Sequence, residues 1–105
     1  LAEKNIYYPW DKNRTYQCRV ISIDREFPNL ERLDFIKMDI EGAELNAIKG
    51  MKKLMKNNKV NLAIASYHIV EGKQTCKKLE EIFKKRGYKA HTSYPEHLTT
   101  YAKKN

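Results

Sequence analysis

Cysteine is nearly missing from this chain, and so are long apolar runs, glycine-rich loops and familiar metal spacings. Only Cys18 and Cys76 occur, too few for a disulfide framework. Both read as buried thiols, Cys18 in a strand-like stretch and Cys76 on the apolar face of a helix. That usage places the chain by default in a reducing cytoplasm. No apolar stretch approaches the roughly 18 residues that cross a bilayer, and no signal-peptide pattern opens the chain, so no membrane partner is expected. The four glycines form no GxGxxG or GxxxxGK phosphate loop. No CxxC or HExxH spacing marks a metal, and no G-x-S-x-G elbow marks a nucleophile.

What is present is charge. The 105 residues suffice for one small domain, and a hydrophobic share of 41% is enough for a packed core. The formal net charge is +8, which raises the question of an anionic partner. The lysines are spread over helix faces and helix ends, however, so a solvated surface accounts for them better than a nucleic-acid groove. The chain opens on Leu1 rather than Met, which reads as a piece of a longer protein.

Residues 1–15 carry Pro9 and the cluster Tyr7-Tyr8-Pro9-Trp10 without a clear period, and read as an irregular arm. Tyr16 to Ile23 alternates and is β-rich, a strand. Asp24 to Glu31 reads as a loop or short helical turn, and Leu33 to Ile40 as a second strand. Glu44, Ala47, Ile48, Met51, Leu54 and Met55 recur at helical spacing, with Lys49, Lys52, Lys53 and Lys56 opposite. Val60 to Tyr67 is a nearly unbroken apolar run, as in a strand covered on both faces. A second helix is predicted from about Lys73 to Arg86, closed by Gly87. Tyr88 to Thr92 and Leu98 to Ala102 suit an antiparallel hairpin with a five-residue loop. The order predicts an α/β sheet of mainly parallel strands, with two main helices and a C-terminal antiparallel hairpin.

The corner between the second strand and the first helix concentrates the chemistry. Period two puts Phe35, Lys37 and Asp39 on one side of the strand, with Glu41 just beyond its end. The next parallel strand ends in His68, and neighbouring parallel strands end at one edge of a sheet. Asp39, Glu41 and His68 are therefore expected to gather, as ligand-binding groups do at the carboxyl ends of such strands. A carboxylate beside an imidazole suits proton abstraction from a hydroxyl, and equally suits a divalent metal. The competing account makes Asp39 and Glu41 helix caps, and His68 a strand-end residue bonded to backbone. Taken singly, each is explained at least as well this way; their convergence favours function. Glu44 reads as a first-turn acid. Lys37 must pair or reach solvent. Gly42 reads as a tight turn with close backbone approach, and Gly50 as a packing glycine.

Residues 34–44, DFIKMDIEGAE, followed by Ala47-Ile-Lys-Gly50, resemble the signature of FkbM-type S-adenosylmethionine-dependent methyltransferases. Ile23-Asp24 resembles the family's upstream L-D, Tyr67-His68 its Y-H, and Thr99 to Ala102 its last strand. The resemblance implies a class I methyltransferase (Rossmann-like) fold, whose last strand is antiparallel, and methylation of hydroxyls on sugars or natural products. The family's cofactor half, with its glycine-rich loop, has no counterpart here. The resemblance thus implies the C-terminal, substrate-side half of such an enzyme, inactive as an isolated chain. It implies weak or no S-adenosylmethionine binding alone, and Asp39, Glu41 and His68 at the active-site edge.

Two further readings remain. Asp39 and Glu41 form a D-x-E pair that would suit a metal-dependent sugar transferase, and the basic surface would suit a nucleic-acid module with salt-sensitive affinity. The expected partner is a small-molecule or glycan acceptor. The strand at Leu33 to Ile40 has an open edge, which would pair with Tyr16 to Ile23 or with a second copy in a homodimer.

Overall fold

A computed structural model describes the backbone of residues 2–8 and 11–104, and side chains from Gln17 to Lys104. Strands β1 (Ala2–Tyr8) and β2 (Asp11–Val20) form an antiparallel hairpin. This corrects the expected irregular arm over 1–15 and the strand limits of Tyr16 to Ile23. Mixed polar residues such as Glu3, Lys4 and Asn5 blur the alternation that would have marked β1. The hairpin does not supply the missing partner of the next strand, because β2 pairs with β1.

After helix α1 (Ile23–Glu26) come β3 (Phe35–Met38), α2 (Glu44–Lys49), α3 (Lys52–Asn57) and β4 (Asn61–Ala65). A small hairpin of β5 (Ile69–Val70) and β6 (Lys73–Gln74) precedes α4 (Cys76–Lys85). Strand β7 (Lys89–Ser93), a 3-10 turn (Pro95–His97) and β8 (Thr99–Lys103) complete the described chain. The main sheet has the order β3-β4-β8-β7.

The fold is mixed α/β, but the expectation of mainly parallel strands needs correction. Only β3 and β4 pair in parallel; β4 with β8 and β8 with β7 are antiparallel. The cause is the position of β8. Three strands, β3, β4 and β7, point the same way, and the reversed β8 is inserted between two of them. The predicted C-terminal hairpin is β7–β8 with its five-residue loop.

The two expected main helices become three, and α1 falls at the segment expected as a loop or short helical turn. The first expected helix is broken at Gly50, and the reason lies far upstream. Asp24 accepts the N–H groups of Lys53 (2.8 Å) and Leu54 (3.0 Å), the free donors of the first turn of α3. Its own N–H donates to the Gly50 carbonyl at 2.9 Å. Gly50 permits this approach, since a Cβ there would stand 3.2 Å from Ser22 Cβ. Asp24→Ala is therefore expected to cost about 2 kcal/mol, and Asp24→Asn less, read from urea unfolding.

The second helix is shorter than predicted, because Lys73 and Gln74 belong to β6. Its end follows expectation: Gly87 has φ +83, Gly87 N–H reaches the Lys84 carbonyl and Tyr88 N–H the Phe83 carbonyl, a Schellman closure. The core lies between sheet and helices. Ile48, Met51, Leu54 and Met55 come from α2, α3 and their junction, Val60, Leu62 and Ile64 from β4 and its approach, and Leu79 and Phe83 from α4. The Tyr88 hydroxyl enters this core and donates to the carbonyls of Met55 (2.7 Å) and Asn58 (3.0 Å).

The lysines of α2 and α3 are exposed, as the pattern required. Cys18 and Cys76 are free and only half-buried, less covered than expected. Among the described residues no helix is long and apolar enough to cross a membrane.

Candidate functional site

The carboxyl end of β3 turns sharply into α2. Ala43 N–H donates to the Ile40 carbonyl at 3.2 Å, and both central residues have positive φ, Glu41 at 57° and Gly42 at 96°. Positive φ at both positions is the mark of a type I′ turn. Glycine suits its place; glutamate does not, and a non-glycine residue held there costs about 1 kcal/mol or more. Such strain persists only where the surroundings enforce it.

Glu44 provides that enforcement. It is fully buried, and its Oε1 accepts the Ile40 N–H at 2.8 Å. Glu44 is thus more than a first-turn acid: it ties the residue before the turn, two past the end of β3, to the helix start. A Cβ at Gly42 would meet Val70 and His68 only at ordinary distances of 3.7 and 3.8 Å. The turn geometry, not close approach, selects this glycine.

The three residues singled out from sequence meet at this corner. One ligand-type atom from each of Asp39, Glu41 and His68 lies within 4.8 Å of the others. His68 Nε2 stands 3.7 Å from Asp39 Oδ1 and 3.7 Å from Glu41 Oε2. Its Nδ1 is 3.2 Å from Glu44 Oε1, but poorly aligned, so neither buried ring nitrogen completes a hydrogen bond. Among the described residues no first-turn N–H of α2 donates to Asp39 or Glu41, so neither acid caps the helix. Asp39 instead accepts the Tyr67 hydroxyl at 3.0 and 3.1 Å. Lys37 is exposed.

Two further residues belong here that the sequence reading passed over. His97 Nε2 lies 3.8 Å from Asp39 Oδ2, and the Tyr67 ring packs between the two imidazoles, 4.1 Å from His68 and 4.4 Å from His97 between centroids. The signal for His97 was the direction of β7. A strand running with β3 and β4 delivers its following loop to the same edge. Desolvation raises the Tyr67 pKa, and the hydrogen bond to Asp39 adds to this. Tyr67 therefore remains a donor to Asp39 well into alkaline pH.

A broad groove of about 1070 Å³ runs between α2 and α4, lined among others by Asn46, Lys49, Lys73, Thr75 and Cys76. It reaches the corner through Gly42 and Val70, but Asp39, Glu41 and His68 do not line it.

A strand-end carboxylate–imidazole cluster on an α/β sheet lies at the edge where such folds bind ligands. Residues 7–90 match the family model of the methyltransferase FkbM domain, and the chain belongs to that family. No curated protein and no solved structure matches the chain.

Domains of this family generally use S-adenosylmethionine. Among the described residues no glycine-rich strand-to-helix loop is present. Gly42, Gly72 and Gly87 have positive φ, but they serve two-residue turns and a helix end.

Proposed function

We propose that this chain forms the acceptor-side wall of an S-adenosylmethionine-dependent O-methyltransferase acting on a hydroxyl of a sugar or natural product. The observation that carries the reading is the convergence of Asp39, Glu41 and His68, from the FkbM signature and the end of the next strand, within 4.8 Å. S-adenosylmethionine supplies an electrophilic methyl group; the residues here bind and prepare the acceptor.

With Nδ1–H facing the buried Glu44 carboxylate, Nε2 is left as the proton acceptor of His68. It faces the same space as the Asp39 and Glu41 carboxylates, so a hydroxyl placed there is held by an acid and loses its proton to the ring. Glu41, 88% exposed, is placed to accept from a second hydroxyl, which favours polyhydroxylated acceptors. Tyr67 fixes the Asp39 carboxylate by donating to both its oxygens.

The test is methyl transfer by the full-length enzyme, cofactor half included, to a panel of glycosides and polyols at saturating S-adenosylmethionine, with products detected by mass; the isolated chain should show none. The reading expects O-methylation of a polyhydroxylated acceptor, and fails if methyl appears only on nitrogen or carboxylate groups. Calorimetry on the isolated chain is expected to show weak S-adenosylmethionine binding. Micromolar affinity would overturn the assignment of these residues to the acceptor side.

A further inference from the structure

We infer that Asp39, Glu41 and His68 bind a first-row divalent metal cation, with Glu44 as the outer partner of the histidine. The inference deepens the proposed function and rests on the same corner, yet cation binding can be read without any methyl transfer.

Charge gives the first argument. Asp39, Glu41 and Glu44 surround one imidazole, and among the described residues no lysine or arginine pairs with any of the three. Distance gives the second. The two 3.7 Å separations from Nε2 to the carboxylates are too long for hydrogen bonds. Ligand atoms about 2.1 Å from a common cation stand roughly 3.0–3.4 Å apart. The two edges at His68 need only a few tenths of an ångström of closure, and a rotation of the exposed Glu41 side chain brings the carboxylates, within 4.8 Å of each other, the rest of the way into one face of a coordination shell.

Glu44 is the independent observation. It is fully buried, its Oε2 has no partner, and its Oε1 lies 3.2 Å from His68 Nδ1. Histidines that bind metals commonly direct their second nitrogen at such a carboxylate, which fixes the ring and raises its basicity. In a merely structural corner a buried, half-satisfied carboxylate is costly. Behind a metal-bound imidazole it is compensated. One imidazole and two carboxylates suit manganese, iron or zinc better than soft ions.

With the cation in place, an acceptor hydroxyl binds as a further ligand, and its proton becomes easier to remove. His68 then holds the cation through Nε2, so in the metal-bound form its contribution to removing that proton is made through the cation rather than by direct transfer to the ring.

The experiment is a manganese titration of the 105-residue chain, following loss of the free-ion electron paramagnetic resonance signal. One ion per chain is expected. Asp39→Asn and His68→Gln should each weaken binding by about tenfold or more, and Glu44→Gln by a similar factor without removing a ligand. Glu41→Gln, on an exposed side chain, weakens binding with no risk to folding, and circular dichroism checks the other variants. Glu96→Gln, exposed on the 3-10 turn, should leave binding unchanged. No signal loss, or equal loss in wild type and Glu41→Gln, overturns the site. Binding without methylation by the full-length enzyme would instead overturn the methyltransferase reading and leave the cation site standing.

Discussion

Phe83→Ala is expected to lower the unfolding free energy by about 3–5 kcal/mol, the usual range for deleting a buried phenyl ring. Phe83 is fully buried in α4, within the cluster shared by Ile48, Met51, Met55 and Leu79. Helix α4 packs on β7 and β8, and Phe83 belongs to a cluster that also takes residues from α2, α3 and β4, so its cavity has walls from several elements and cannot collapse easily. Domains of this size have about 5–15 kcal/mol in all, so the loss is a large share of the total. Phe35→Ala is the matched control. Phe35 is 59% exposed on the edge strand, and its loss should change stability by about 0.5 kcal/mol or less. Urea unfolding of both variants checks the pair. Equal losses would mean that the core is not where the burial places it.

The same contrast explains what could be read from the residue pattern. Phe83 was legible because Cys76, Leu79, Ile82 and Phe83 share a helical face, and β4 because Leu62, Ile64 and Ala65 form an apolar run whose burial follows from its place between β3 and β8. Local periodicity reports which face of an element is covered. It does not report what competes with the element from a distance. Asp24 breaks the first helix from about thirty positions upstream, and nothing in residues 44–57 announces it. Strand direction is similarly absent from a pattern of period two, so the hairpin at the sheet's edge was legible but not that its inner strand, β8, runs against β4. The Ile69–Gln74 hairpin had a signal, Glu71-Gly72 between β-prone residues, but the helix pattern that follows absorbed Lys73 and Gln74.

The FkbM signature itself divides in two once its residues are placed. Asp24 and Gly50 are structural, joined by the Asp24 N–H to Gly50 carbonyl bond and by the close approach of Ser22. Asp39, Glu41 and His68 meet at the sheet edge. Glu44 serves both halves, closing the turn through Ile40 and backing His68. The convergence of the first three was legible because parallel strands share an edge. The part played by Glu44 was not, since a first-turn acid and a buried anchor occupy the same position in a sequence.

His68→Gln is expected to reduce methyl transfer by the full-length enzyme about 10²–10⁴-fold at saturating S-adenosylmethionine, the range for loss of a group that takes the acceptor's proton directly or through a bound cation. Asp39→Asn should fall within the same range, because it removes the charge that faces Nε2 and weakens the Tyr67 bond that fixes it. Glu41→Gln should lose less. Its side chain is 88% exposed, so water replaces much of what the carboxylate does, and the change should appear mainly as a higher KM for polyhydroxylated acceptors. Product formation per unit time, with each variant's fold verified by circular dichroism, gives the comparison. The ordering of the three variants carries the argument. If these residues only closed a turn, Glu41→Gln would be silent and His68→Gln would act through stability, with transfer recovering on cooling. If they prepare a hydroxyl, the loss from His68→Gln persists in fully folded protein and the three variants separate into kcat and KM effects.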